Sequence, residues 1–251
     1  MPKRDAIVKF LDDLIQIDQI SDISSNGLQI KGADEVNKIA LATDAAMASY
    51  QKSVEAGCQM LVAHHGLIWG GIKYVTGRNH AHLEYMITNK LNLYAAHLPL
   101  DMHPKLGNNA KLAQMANLTD VIPFGDYHGI KLGFSGKLKT PATIESFTAM
   151  WDSTLPGKST VLNFGPKEIS TVAIVSGRDP SALTEAISKG IDCLVTGETN
   201  HTSFHEAKEA GIHVIYLGHY RSETVGVKAV GKELEKEFKI KTVFIDEPTG
   251  L

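Results

Sequence analysis

Two adjacent histidines, His64 and His65, close the short apolar run Leu61-Val62-Ala63 and are followed at once by Gly66. Imidazole is a common metal ligand and titrates near neutral pH. Side chains alternate in direction along a strand, so neighbouring histidines point to opposite faces inside it and converge only where it ends. Open parallel sheets keep their ligand sites at that end. Taken alone, the pair reads equally as metal ligands or as solvated loop histidines. Two further motifs bear on the choice, His97-Leu98-Pro99-Leu100-Asp101 and His219-Tyr220-Arg221-Ser222-Glu223, each a His-x-x-x-acid placed just after an expected strand. If the strands are parallel, His64, His65, Asp101, His219 and Glu223 all lie at one sheet edge. Such a mixed imidazole and carboxylate set suits zinc, iron or manganese better than calcium, which prefers oxygen alone. Five ligands exceed one tetrahedral zinc. Two divalent metal ions per chain, sharing a carboxylate and about 3.5 to 4 Å apart, would use them all and activate a bridging water near neutral pH.

The elements that must deliver these residues follow from hydrophobic periodicity. Ile7, Phe10, Leu11, Leu14 and Ile15 recur at helical spacing. A polar loop, residues 22–27, enters a short strand. Residues 39–43, 45–56 and 60–63 then read as strand, helix and strand, with Gly57 ending the helix. A helix at 82–89 and a strand at 92–96 follow. Residues 171–198 repeat residues 38–65 at a constant offset, 171 − 38 = 133, so that Ala40, Gly57, Leu61 and Val62 recur as Ala173, Gly190, Leu194 and Val195. Residues 94–101 lie over 216–223 at an offset of 219 − 97 = 122. Self-similarity of this kind is the signature of repeated units, the alternative being a coincidence of shared βαβ rhythm. The expected fold class is therefore α/β, two duplicated α/β units with the metal site in the cleft between them. The boundary is placed in the glycine-rich and basic stretch 125–139, giving units 1–125 and 126–251. A helix at 141–151, a long helix at 224–237 and a last strand at 242–246 complete the chain, with this C-terminal segment able to pack back on the first unit.

Composition narrows the functional classes. The 25 Lys and Arg against 28 Asp and Glu leave a formal net charge of −3, so net charge does not support nucleic acid as a partner. The first residues run into an amphipathic helix without a signal-peptide core or membrane span, which reads as cytoplasmic, with no membrane partner. Cys58 and Cys193 lack metal-type spacing and are expected to be reduced core residues. No G-x-x-x-x-G-K-[ST] loop occurs. Trp69, Lys73 and Arg78 could stack on a base or hold phosphate, or simply pack a loop. His201 and His205 are either substrate contacts or surface histidines. His80, His82, His103, His128 and His213 receive no role.

Several motifs together resemble one family. Ser25-Asn26-Gly27-Leu28-Gln29, His64-His65-Gly66-Leu67-Ile68-Trp69, His97-Leu98-Pro99-Leu100-Asp101 with Gly107-Asn108-Asn109, Thr196-Gly197-Glu198, and Gly218-His219-Tyr220-Arg221-Ser222-Glu223 occur in order over nearly the whole chain. The chain is similar to the Nif-three-like family, whose members are labelled GTP cyclohydrolase 1 type 2 homologues. That resemblance implies a dinuclear metal protein of two interlinked α/β domains assembled as a toroidal homohexamer. It places the metal ligands at His64, His65, Asp101, His219 and Glu223, with Glu223 as the bridge. It also implies a hydrolase of a nucleotide-like substrate, with metal-activated water attacking C8 of GTP. The alternative is a metal-binding, ring-shaped regulatory or scaffold protein without turnover. The large middle insertion of longer members is missing, which implies an unobstructed ring. Two residues stand as candidate catalytic groups. Glu198 is either a general base or a helix-capping acid. His97 is either a further ligand or a donor that orients Asp101 or a bound water.

Overall fold

Runs such as Ile39-Ala40-Leu41-Ala42 and Met60-Leu61-Val62-Ala63 carry no polar side chain, as strands covered on both faces must. The computed structural model describes residues 1–251 and divides them into two units, Met1–Leu106 with Gly226–Glu247, and Gly107–Val225 with Pro248–Leu251. Each unit is a mixed α/β layer structure built on its own sheet.

In the first unit the order is α1 (Arg4–Ile15), β1 (Gly27–Ile30), β2 (Lys38–Asp44), α2 (Met47–Glu55), β3 (Met60–His65), α3 (Gly77–Thr88), β4 (Asn92–Ala95) and α4 (Leu98–Asp101). The sheet order is β1-β4-β3-β2 and then a C-terminal strand, Lys241–Phe244. That last strand, β2, β3 and β4 run parallel, while β1 pairs antiparallel with β4. Odd and even positions separate as the pleat requires. Ile39, Leu41, Met60 and Val62 pack with Ile7 and Leu11 of α1 and with Val227, Val230 and Leu234. Ala40, Ala42, Leu61 and Ala63 pack on the other face with Tyr50 of α2 and Met86 of α3.

The second unit runs α5 (Asn108–Met115), β5 (Leu118–Tyr127), β6 (Ile130–Ala142), α6 (Ile144–Thr154), β7 (Thr160–Leu162), β8 (Ile169–Val175), α7 (Ala182–Ser188), β9 (Cys193–Thr196), α8 (Ser203–Ala210), β10 (His213–Tyr216) and α9 (His219–Ser222). Then α10 (Thr224–Phe238) returns the chain to the first unit and leads into β11 (Lys241–Phe244). The sheet order is β5-β6-β8-β9-β10-β7, with β8, β9 and β10 parallel. Val172, Ile174, Val195 and Ile215 pack with Phe147 and Trp151 of α6. Ala173, Val175, Leu194 and Val214 pack with Leu183 of α7 and Ala207 of α8.

The strand registers carry the duplication. Ile39 lies opposite Met60 and Val172 opposite Cys193, an offset of 133 on both strands (172 − 39 and 193 − 60). The third strand corrects the alignment. Tyr94 lies opposite Val62, and Ile215 opposite Val195, so the counterpart of Tyr94 is Ile215, at 215 − 94 = 121, and not Tyr216. The second unit therefore takes one more residue between its strand and its histidine. Gly218, at φ +90, begins α9 in a conformation L side chains rarely adopt.

The expected boundary at 125/126 differs from the observed one at 106/107. The glycine-rich and basic stretch is no linker but the turn and second strand of a long hairpin. β5 pairs antiparallel with β6 around His128 and Gly129, both at positive φ. Glycine and polar residues signal turns, and a hairpin turn has the same composition as a linker. Cys58 and Cys193 are free and buried. Burial pushes the Cys58 thiol up to about 11 and raises the Cys193 thiol as well. No helix is long and apolar enough to cross a membrane.

Candidate metal centre

In the first unit β3 delivers its two histidines sideways rather than to opposite faces. His64 Nδ1 donates to the Ala96 carbonyl beyond β4 at 2.9 Å, and His65 Nδ1 to Asp44 Oδ1 at the end of β2 at 2.8 Å. Asp44 lies opposite His65 in the register of the two strands. The pair thus leans toward both neighbouring strands, and its ring centroids are 4.7 Å apart. With Nδ1 as the donor in each ring, the neutral imidazole has Nε2 as its ligating nitrogen. Asp101, buried at the end of α4, brings Oδ2 to 3.4 Å from His64 Nε2. An imidazole and a carboxylate this close in a buried place form an ion pair or share a bound cation.

His97 stands at the start of α4 and joins this cluster. One ring nitrogen from each of His64, His65 and His97 lies within 4.8 Å of the others, a set that could hold a metal ion. The Nδ1 partner of His97 is Asp22, at 3.0 and 3.1 Å from its two oxygens, rather than Asp101. Asp22 also accepts from the Ser24 and Leu98 amides and from Asn26 Nδ2. Burial raises the Asp22 carboxyl, but the His97 imidazole with Asn26 and Ser24 outweighs it and brings the pKa to about 2. The Ser25 to Gln29 motif acquires a physical role here. Asn26 Oδ1 accepts from His97 N, and Gln29 Oε1 accepts from Leu67 N and Ile68 N, which ties down the loop after the histidine pair. Gly66 is needed because a Cβ there would meet Gln29 Nε2 at 2.3 Å. Trp69 donates from Nε1 to Gly66 O, and its ring lies 4.9 Å from that of His97.

In the second unit His219 opens α9. Its Nδ1 meets Glu198 Oε1 at 2.7 Å and its Nε2 meets Glu223 Oε2 at 3.1 Å, one helical turn on. Burial lowers the His219 pKa, but Glu223 and Glu198 more than reverse this and push it up to about 9. Glycine makes room for the acid. A Cβ on Gly177, at φ +60, would lie 2.2 Å from Glu223 Oε1, and one on Gly197 would lie 2.4 Å from Gly177 O. Ser222 Oγ accepts from Gly177 N and donates to His219 O. Asn109, from the Gly107-Asn108-Asn109 motif, accepts from Ser176 N just before Gly177. Arg221 points the other way, into the end of α6, where it donates to the carbonyls of Trp151 and Leu155.

Both units therefore contain a histidine held through Nδ1 by a carboxylate from the end of the preceding strand. Asp44 of β2 holds His65 of β3, and Glu198 after β9 holds His219 after β10. This is how proteins orient metal-binding imidazoles and raise their basicity. Sequence reasoning did not single out Asp44 or Asp22. The available signal for Asp44 was an acid ending a strand directly before the histidine strand. Glu198 does not cap a helix: α8 begins at Ser203 behind Thr202, and the Glu198 carboxylate is taken by His219 and Arg178. His201 and His205 are exposed on α8 and its approach. His213 is a buried structural residue, accepting from Gly165 N and donating to Pro166 O.

The whole chain finds counterparts among known proteins. It is 42% identical over 245 residues to a protein of Archaeoglobus fulgidus named GTP cyclohydrolase 1 type 2 homolog, covering 98% of each chain. A Pyrococcus horikoshii protein of the same name is 43% identical over 249 residues, covering 99% of each. The solved structure of protein ybgI, described as of unknown function, superposes with a TM-score of 0.92 at 30% identity over the full length of both chains. The model of the Duf34/NIF3 (NGG1p interacting factor 3) family matches residues 2–250, and with the fold and half-sites described above the chain belongs to that family.

Proposed function

We propose that the protein is a dinuclear metal-dependent hydrolase of a nucleotide-like substrate. The observation that supports this most directly is the paired arrangement of His65 on Asp44 and His219 on Glu198, one in each unit. Each unit fixes one imidazole through a carboxylate from the strand before it, although at different strands of the repeat, β2 and β3 in the first unit and β9 and β10 in the second, where Glu198 is the counterpart of His65. In this reading His64, His65 and Asp101 from the first unit and His219 and Glu223 from the second share two divalent ions, with Glu223 bridging. The donor set fits zinc, iron or manganese, since it combines imidazole with carboxylate and contains no thiolate. When bound, such ions supply Lewis-acid activation of water and of a substrate oxygen. The chain's own residues do the rest. Asp44 and Glu198 keep the imidazoles in the ligating tautomer, and His97, fastened by Asp22, is placed to exchange a proton with substrate. The name shared by the relatives points to GTP as the first substrate to try, and the family resemblance to a homohexamer as the working assembly.

The test is metal analysis of purified protein followed by a nucleotide panel. Two ions per chain are expected, with loss of the guanine ultraviolet band on incubation with GTP. Glu223→Gln should abolish that turnover while leaving the assembly intact. Two bound ions without turnover on any nucleotide would instead favour a metal-holding regulatory or scaffold protein, and at most one ion per chain would overturn the dinuclear reading.

A further inference from the structure

The second unit contains a cavity of about 190 Å³ at the carboxyl ends of β8, β9 and β10, on the face covered by α7 and α8. Ligands of open α/β sheets bind at this end of the strands. Its walls combine two kinds of surface. Pro180, Leu183 and Leu194 are apolar, while Thr196, Ser203 and Tyr216 bring hydroxyls. Tyr216 is only 5% exposed, and its hydroxyl, beside Ser203, makes no hydrogen bond of good geometry. Asp179 Oδ2 is likewise buried without one. A buried polar group left unpaired lowers stability, so two at one cavity point to a ligand that completes them. Glu198, which also lines the cavity, joins it directly to His219 of the half-site.

The dimensions and charges select the ligand. The volume is about that of six water molecules, and below the range of about 300 Å³ and upward usual for pockets that enclose a whole small molecule. It admits one ring system. The acids inside already carry part of their pairing: Asp179 Oδ1 accepts from Ser181, which leaves Oδ2 for a ligand, and Glu198 pairs with His219 and Arg178. A carboxylate or phosphate would enter beside two acids, and a sugar would leave the apolar wall unused. A planar, uncharged ring with apolar faces and a hydrogen-bonding edge satisfies both surfaces.

We propose that this cavity binds the heterocyclic base of a nucleoside, with Tyr216 and Asp179 reading its polar edge and Pro180, Leu183 and Leu194 covering its face. Ribose and phosphates remain at the mouth, where Arg178 and His201 are exposed. This rests on the nucleotide-like substrate proposed above and assigns the part of the molecule that determines specificity. The Asp179 oxygen accepts only, so a base with a ring N–H is favoured over one without.

The experiment is calorimetric titration of the full-length, chelator-treated protein with guanosine and with adenosine, so that binding is read without turnover. Guanosine should bind saturably below millimolar concentration and more tightly than adenosine. Tyr216→Phe should weaken it about tenfold, the equivalent of one hydrogen bond. Ser203→Phe, which fills the cavity from the start of α8, should abolish binding. Tyr216→Phe should leave the melting temperature unchanged or raised, since the hydroxyl it removes makes only a weak contact with Ser203; a purely structural hydroxyl would lower it. Guanosine binding indifferent to both variants, or no binding at millimolar guanosine, overturns the cavity assignment. GTP turnover that survives both variants does the same while sparing the hydrolase reading. Guanosine binding that obeys the variants in a protein without turnover sustains the cavity and counts against that reading.

Discussion

Arg221 lies between two proposed metal ligands, and its removal should show how the second half-site is anchored. The guanidinium side chain is 8% exposed. Nη2 donates to Trp151 O at 2.9 Å, Leu155 O at 2.7 Å and Asp152 Oδ1 at 3.1 Å, and Nη1 donates to Ser159 Oγ at 3.1 Å. Arg221→Ala leaves the Leu155 carbonyl without its donor, at about 1 to 3 kcal/mol if water does not replace it, whereas Trp151 O keeps the Leu155 amide and Thr154 Oγ1. Asp152 retains Ser159 and is 29% exposed, so its charge is not stranded. Removing the guanidinium also removes the cost of burying it. The net is a destabilisation of about 2 kcal/mol, or about 4 to 8 °C in melting temperature for a chain of this length. Lysine cannot reproduce a planar fork that serves four acceptors, so Arg221→Lys should recover less than half of the loss.

The assay is thermal unfolding of the metal-free protein, repeated across acid pH. Burial raises the Asp152 carboxyl, but Ser159 and Arg221 more than offset it and hold it below its ordinary 3.8. A depressed carboxylate contributes stability that is present above the unfolded value and is lost as pH falls through the folded one. The parent should therefore lose this contribution below about pH 4, and Arg221→Ala should show a shallower loss over the same range. A melting temperature for Arg221→Ala indistinguishable from the parent, with the same acid profile, would refute the anchoring argument.

Three further outcomes are expected. Glu198→Gln and Asp44→Asn should each weaken metal affinity about 10- to 100-fold with little change in the fold, as read by competition with a fluorescent chelator; unchanged affinity would remove their orienting role. Asp22, held at about 2 by His97 and its other donors, should stabilise the chain above about pH 4 and lose that contribution as pH falls toward 2, so the acid unfolding curve of Asp22→Asn should be flatter there. Gly177→Ala adds a Cβ 2.2 Å from Glu223 Oε1 at a φ of +60, costing about 1 to 2 kcal/mol of backbone strain alone. It should also displace Glu223 and lower metal content, and a variant that melts and binds metal like the parent would contradict the close packing.

Much of the architecture could be read from residues. Buried parallel strands must be apolar on both faces, so β2, β3, β8 and β9 announce themselves as unbroken apolar runs, and their repetition at an offset of 133 survives in the registers. The histidine pair and the two His-x-x-x-acid motifs were equally visible, because ligand spacing after a strand is a local property. The tertiary structure decided everything that depends on a distant partner. Asp44, Asp22 and Glu198 become meaningful only when a strand end or loop brings them to an imidazole 21 or 75 residues away. The single-residue slip before His219 shows only in the pairing of β10 with β9. The stretch 125–139 has the composition of a linker and forms a hairpin, because glycine and polar residues specify a chain reversal but not what the two arms then pair with. Local composition records backbone freedom and the apolarity of a face, whereas hydrogen-bond partners are chosen by which segments the sheet places side by side.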